Sequence, residues 1–352
     1  MPVILMIPAA GTCPMAIVTC MGGTHLTATE PAMADEAFAL VRAGYERARR
    51  ANAWLPALDP AHEGRLRERV ERAVRYGGVA AMRDGALRGF MVAGPAFEFR
   101  GAHAALVPEF AFALADGDAP GLIGELYARV AEALVERGAA LHLVAHLSMD
   151  AATTSALYQL GFGAVVCERL RGVSDVVVPR GLRGVHHERL ERVERLASHA
   201  PLEPLAALAA RHAAYYRQSP VFVVKDDGHA TALAELETHR DAGDALFLVV
   251  EAGEPQAYLI VGPCAGVTEG RLLEGTSTAQ VRSAYTAPEA RGRGMGTALL
   301  QHAVRWARDQ GYERLLVEHE SANLPAVAFW QRHFDAYLSV SMRSVDARLV
   351  HA

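Results

Sequence analysis

Cysteine is scarce in this chain. Four residues, Cys13, Cys20, Cys167 and Cys264, are scattered through 352 positions with no CxxC pair. That excludes a disulfide scaffold, and a reduced, cytoplasmic setting is the simplest reading. Neither sign of charge dominates: 35 Lys+Arg stand against 40 Asp+Glu, a net charge of −5. A nucleic-acid binder working by bulk charge is excluded, although a local basic patch is not. No apolar run reaches the roughly 18 residues that span a bilayer. The first 32 residues are apolar but lack the basic start of an export signal, with no Lys or Arg before Arg42 and with Pro8 and Gly11 breaking the run. Met33-Ala34-Asp35-Glu36 reads as a natural start, so residues 1–32 are expected to be a start-site artefact or a loosely held tail. Metal-ligand spacing is also missing. Of fifteen histidines, His186 and His187 are adjacent and diverge on a helix, while His142 and His146 fall on a strand about 13 Å apart. No metal is expected.

What is present is ordinary globular material, 51% hydrophobic and 21% charged, enough for two buried cores. Helical spacing starts at Asp35 (Phe38, Val41, Tyr45, Ala48), and a second helix runs Glu63–Tyr76 with a solvated Arg/Glu face. Strand-like segments follow at Gly78–Met82, Leu87–Gly94 and Ala104–Leu114. Then come a helix from Leu122 to Arg137, a strand at Leu141–His146, a short helix near Thr153–Leu160 and a last strand. After punctuation around Ser174–Gly181 the order repeats. Helices are expected near His186–Leu196 and Pro204–Arg217, and strands at Ala245–Glu251, Gln256–Val261 and Ala279–Thr286. A long helix spans Met295–Gln310, followed by a strand at Arg314–Glu320, a helix at Pro325–Arg332 and a strand through Tyr337–Ser344. The chain reads as a diverged tandem repeat of mixed-sheet α/β (α+β) units, with residues 33–173 as the first domain and 174–352 as the second.

The informative segment is the one from Ala284 to Leu300. A strand ends near Thr286, and Arg291-Gly292-Arg293-Gly294-Met295-Gly296 opens the long helix. Unpaired N–H groups and the dipole of a helix start attract anions, and glycine lets a phosphate approach the backbone. By itself a Gly-rich helix start is also just a tight turn. No Gly-Lys-Ser/Thr follows, so it is not a Walker A loop, and Thr297 stands where a dinucleotide fingerprint needs glycine.

Three stretches together resemble the GNAT N-acetyltransferase superfamily: Arg291-x-x-Gly294-x-Gly296, the strand Leu315–Glu320 leading to Asn323, and Ala328-Phe-Trp-Gln-Arg-His-Phe334. The whole chain is similar to tandem-GNAT proteins. The first half keeps Tyr158-Gln-Leu-Gly161-Phe162 but has Asp116 and Asp118 in place of the phosphate-binding loop, whose charge would repel a pyrophosphate. It is therefore expected to be a degenerate, structural or substrate-shaping unit. The resemblance implies acetyl-CoA as cosubstrate, lying where the fourth and fifth strands split. It implies pantetheine contacts from Ala284, Tyr285 and Thr286, and pyrophosphate contacts from Arg291, Gly292, Arg293, Gly294, Met295, Gly296 and Thr297. Asn323 would fix the thiol end, and Trp330 would pack against cofactor or core. The resemblance implies a glutamate base and a tyrosine acid, but their places are held by Gln280, which cannot act as a base, and Trp330, whose indole cannot protonate a thiolate. Glu320 and Tyr285 are the candidate catalytic residues. Glu318, His319 and His333 lie nearby, and Tyr215, Tyr216 and Phe222 fall where acceptors are gripped.

The resulting expectation is an N-acetyltransferase that moves an acetyl group from acetyl-CoA to an amine of a small molecule or natural product by direct transfer in a ternary complex. The alternatives are a non-catalytic acyl-CoA-binding or interaction module and a GNAT-fold acyl-CoA lyase. No nucleic acid or membrane partner is expected, and the protein should be a monomer or homodimer.

Overall fold

The structure is a computed structural model, and it describes residues 18–19, 23–115, 117, 121–174, 193–197, 199–264 and 272–350. Asp116, Asp118 and most of the N-terminal extension lie outside the described residues, as does most of the expected punctuation zone around Ser174–Gly181. By compactness the chain divides into two units, residues 1–51, 57–163 and 340–352 in one and 52–56 and 164–339 in the other.

In chain order the first repeat comprises β1 (Val18–Thr19), β2 (His25–Ala28), α1 (Ala34–Ala51), α2 (Pro60–Tyr76), β3 (Val79–Arg83), β4 (Ala86–Met91), β5 (Phe97–Phe99), β6 (Ala102–Val107), β7 (Phe112–Leu114), α3 (Gly121–Glu136), β8 (Leu141–Leu147), α4 (Ala151–Gln159) and β9 (Gly163–Gly172). The strand expected over Ala104–Leu114 is two strands. Pro108 lacks the N–H a ladder needs, and after it β7 pairs with β4 while β6 pairs in parallel with β8. That parallel pair is connected through α3, as a parallel crossover requires. Its core gathers Leu122, Leu126 and Val130 of α3 against Val79, Ala81 and Met91.

The second repeat comprises β10 (Val193–Arg195), α5 (Glu203–Tyr215), α6 (His229–Asp241), β11 (Ala245–Glu251), β12 (Glu254–Pro263), β13 (Thr278–Thr286), α7 (Met295–Asp309), β14 (Arg314–Glu320), α8 (Leu324–Trp330) and β15 (Asp335–Ser344). The helix expected at His186–Leu196 meets a correction where it can be seen. Residues 193–195 are a strand paired with β11, Val193 opposite Val249, so sheet pairing overrides a helix-like charge pattern. α6 was not anticipated.

The second unit's sheet runs β10-β11-β12-β13-β14-β9. β9, which the sequence reading placed in the first domain, pairs antiparallel with β14 along its length, from Gly172 opposite Arg314 to Val166 opposite Glu320. Residues 340–352 group with the first unit. Gly172 explains why 52–56 joins the second unit: a Cβ there would lie 2.1 Å from the indole of Trp54. Asn52 also donates its side-chain amide to Ala336 O at 2.8 Å. α7 buries Leu299, Leu300, Ala303, Val304 and Ala307 in the core of this unit, each large side chain contributing about 1.5–3 kcal/mol.

Candidate active site

β13 and β14 are parallel neighbours only from Thr278–Arg314 to Val281–Val317. β13 continues to Thr286 and β14 to Glu320, so past Val281 the strands part. A register shift between Ile260 and Val261 in the β12–β13 ladder falls at the same level, with Arg282 the extra residue. Such a bulge re-aims a strand. The edge of β13 over residues 282–286 is thus left without a strand partner on the β14 side, and its N–H and C=O groups can bond an extended ligand.

α7 begins at this opening. Gly294 is its N-cap with φ +82° and no side-chain cap, and Gly292 has φ +75°. Both lie in the left-handed region, which glycine adopts without strain. The first bond of the helix ladder is Ala298 N–H to Gly294 C=O at 3.0 Å, so the amides of Met295, Gly296 and Thr297 precede the ladder and project from the helix start. Gly296 serves close approach instead: a Cβ there would lie 3.3 Å from Phe329 Cε2 of α8. Together these elements enclose a cleft of about 410 Å³.

Of the residues expected to hold a cofactor, Ala284, Tyr285, Thr286, Arg291, Gly292, Gly294, Met295, Gly296, Thr297, Asn323 and Trp330 line this cleft. Arg293 does not. Its guanidinium turns to Glu251, with Nη1 to Oε2 at 2.8 Å. Arg291 is braced, with Nε donating to Thr286 O at 3.1 Å and its guanidinium 4.9 Å from the ring centre of Tyr215 and 5.9 Å from that of Tyr285. Asn323 caps α8 through its side-chain oxygen, accepting from Ala326 N–H at 3.3 Å. Trp330 is buried against Phe329 and Phe334. Gln280 is buried and accepts a 3.2 Å bond from Arg282.

Along β14, Glu318 is exposed, His319 buried and Glu320 half-buried. Neither Glu320 nor Glu318 is part of the cleft wall. Both act at longer range on Tyr216, whose hydroxyl is pushed up to about 12 first by desolvation and then by these carboxylates. The chain's only lysine, Lys225, places its ammonium 3.8 Å from the Tyr216 ring centre. Burial lowers its pKa, and Glu320 and Glu318 oppose that shift. His319 is held neutral by burial, donating from Nδ1 to Glu320 O and accepting at Nε2 from Arg169.

Three further residues, His212, Tyr258 and Ser283, meet at the α5 side of the cleft and were not singled out by the sequence. Tyr258 of β12 and Tyr285 of β13 are cross-strand partners. His212 of α5 lies over them, its ring stacked on Tyr285 at 4.8 Å and 21°. His212 Nδ1 is 2.8 Å from Tyr258 Oη, and that hydroxyl is 3.0 Å from Ser283 Oγ. Desolvation, with Lys225 and Arg291 adding to it, lowers the His212 pKa from 6.5 to about 3. Desolvation raises that of the Tyr258 hydroxyl. No single spacing could have announced this trio, since its members stand 25 to 71 residues apart and only the docking of α5 joins them.

No group of three or more His, Cys, Asp or Glu side chains able to hold a metal occurs among the described residues. Nor is any helix among them long and apolar enough to cross a membrane. Residues 197–335 match the model of the acetyltransferase (GNAT) family. No curated protein matches the sequence. Among solved structures, a GCN5-related N-acetyltransferase from Sphaerobacter thermophilus is similar with a TM-score of 0.55 at 16% identity, over 92% of this chain and 96% of that one. A glucosamine N-acetyltransferase region of a fungal multi-domain GH3 β-N-acetylglucosaminidase gives a TM-score of 0.51 at 14% identity, over 96% of this chain and 40% of that one. At these identities the likeness is one of fold.

Proposed function

From the premise that residues 197–335 form a domain of the acetyltransferase (GNAT) family, we propose that this protein is an acyl-CoA-dependent N-acetyltransferase. It transfers an acetyl group to the amine of a small molecule, directly, with donor and acceptor bound together. The observation that carries the reading is the junction of two features in one cleft: the unpartnered edge of β13 past Val281 and the uncapped start of α7. The first suits an extended amide-bearing arm, and the second suits a pyrophosphate.

Acetyl-CoA supplies the activated acyl group. The chain's task is to bind and orient it beside the amine, which alone removes much of the barrier. N–H groups of Gly292 to Thr297, with the Arg291 guanidinium, would hold the phosphates. Residues 284–286 and the Asn323 amide would hold the arm. Trp330 and Phe329 would form an apolar floor that excludes water. Acceptors would approach from the side of Tyr215 and Tyr216. The protein would need neither metal nor nucleic acid, and would act as a cytoplasmic monomer or homodimer.

Trp330 and Gln280 in place of the usual proton carriers favour one competing reading, a binding module that holds acyl-CoA without turning it over. Incubation with acetyl-CoA and a panel of amines separates the two. Protein-dependent thiol release with a product heavier by one acetyl group supports the enzyme. Calorimetric binding of acetyl-CoA with no thiol release for any amine supports the module.

A further inference from the structure

We propose that His212, Tyr258 and Ser283 form a relay that carries the acceptor amine's proton to the departing thiolate; this rests on the acyl-transfer reading above. The three side chains come from α5, β12 and β13. Their polar atoms form a continuous chain, His212 Nδ1 to Tyr258 Oη at 2.8 Å and Tyr258 Oη to Ser283 Oγ at 3.0 Å. One end opens on the cleft, whose wall includes His212 and Tyr258. The other end, Ser283, stands on β13 two residues past the last pairing with β14, beside Ala284 of the cleft wall. The relay is compact, since Ser283 Oγ also lies 3.5 Å from His212 Nδ1, and it leads from the cleft wall to the β13 edge where the acyl arm would lie.

Each link can run in two directions. With the proton on His212 Nδ1, the imidazole donates to Tyr258, Tyr258 donates to Ser283, and Nε2 presents a lone pair. With both bonds reversed, Ser283 donates to Tyr258, Tyr258 to Nδ1, and Nε2 carries the proton. A single shift along the chain converts one arrangement into the other without leaving a charge on any member. That suits the surroundings. Lys225 and Arg291 both disfavour an imidazolium at His212, and Tyr216 and Tyr285 pack on the same ring. Burial holds the Tyr258 phenol neutral too. A group that must store a proton would fail here, whereas a chain that passes one would not. An apolar trio would also pack this helix–sheet contact without desolvating three polar groups.

The step balances. The amine nitrogen bonds to the acyl carbon and gives its proton to His212 Nε2. The Nδ1 proton passes to Tyr258, the Tyr258 proton to Ser283, and the Ser283 proton to sulfur as the carbon–sulfur bond breaks. One proton enters, one leaves, and the products are amide and free thiol. This fills the role for which Trp330 and Gln280 are unfit.

The test begins on the protein without substrate. Nitrogen-15 spectra of the His212 ring from about pH 5 to 8 are expected to show a neutral imidazole protonated on Nδ1. An imidazolium, or a proton fixed on Nε2, overturns the relay. Turnover is then followed with hydroxylamine, a small nucleophile uncharged at neutral pH, so that the natural amine need not be known. Tyr258→Phe keeps the ring and is expected to lower kcat by about a hundredfold with acetyl-CoA binding unchanged by calorimetry. Ser283→Ala, a smaller change at a half-buried site, is expected to lower it in the same sense. A curved dependence of wild-type kcat on deuterium fraction should become linear in both variants. Equal kcat and an unaltered isotope dependence would sink the relay and leave the transferase reading intact. Acetyl-CoA binding with no transfer by the wild type would sink both.

Discussion

Arg293 and Glu251 form an ion pair across the turn that opens α7, with both guanidinium nitrogens engaged by one carboxylate. Arg291, two residues earlier, makes no such pair among the described residues and points its charge over Tyr215 and Tyr285 at the cleft wall. Two arginines that look equivalent in sequence thus have different work. Arg293→Ala is expected to change acetyl-CoA affinity less than about threefold and stability by no more than about 1 kcal/mol, since the pair is half-exposed. Arg291→Ala is expected to weaken acetyl-CoA binding about tenfold or more. Calorimetry on the two variants checks the difference, and equal losses would return Arg293 to the site.

Asn323 has two separable tasks. Its oxygen caps α8, and its amide would face the acyl arm. Asn323→Ala is expected to cost about 1 kcal/mol of stability through the lost cap and to lower turnover. Asn323→Asp keeps a cap, as Asp150 does at the start of α4, and so should melt near the wild-type temperature. It would still weaken acetyl-CoA binding, because a carboxylate cannot donate. Wild-type acetyl-CoA binding by Asn323→Asp would show that the cap is Asn323's sole role.

Tyr158, in the part of the first repeat that resembles the late helix of the second, is 77% exposed. Tyr158→Phe is expected to leave kcat and KM for acetyl-CoA unchanged. Loss of transfer in this variant, with Asn323→Ala active, would move the active site to the first unit.

His212 also predicts an acid sensitivity. Its pKa is about 3 in the folded protein and 6.5 when unfolded, so below pH 6.5 the unfolded chain takes a proton that the folded one refuses. Stability is unaffected above that pH and falls as pH drops toward 3. His142, His146 and His319 push in the same direction. Removing one contributor, His212→Gln, should therefore move the acid-unfolding midpoint to lower pH, measured by circular dichroism. An unchanged midpoint would mean that His212 is solvated in the folded state.

Much of this was legible in the sequence because it is written locally. The spacing of Leu299, Leu300, Ala303 and Val304 specifies α7, and the Arg291–Gly296 turn specifies its glycine-rich start, which has no side-chain cap. Alternation along a strand places Glu318 and Glu320 on one face and His319 on the other, in line with the burial of His319 alone among the three. What failed depends on distant partners. Val193–Arg195 carries a helix-like pattern but becomes a strand because Val249 lies opposite. β9 leaves its own repeat because β14 offers an edge. Arg293 looks free until β11 brings Glu251 beside it. His212, in an alanine-rich helix, gains meaning only when α5 sets it on Tyr285 and Tyr258.

The central claim, an acyl-CoA site at the α7 start where β13 and β14 part, is tested most directly by calorimetric titration of acetyl-CoA into the wild type and Arg291→Glu. The expected result is one site per chain, with affinity reduced at least about tenfold in the variant. No binding, two sites per chain, or equal affinity in the two proteins would contradict it.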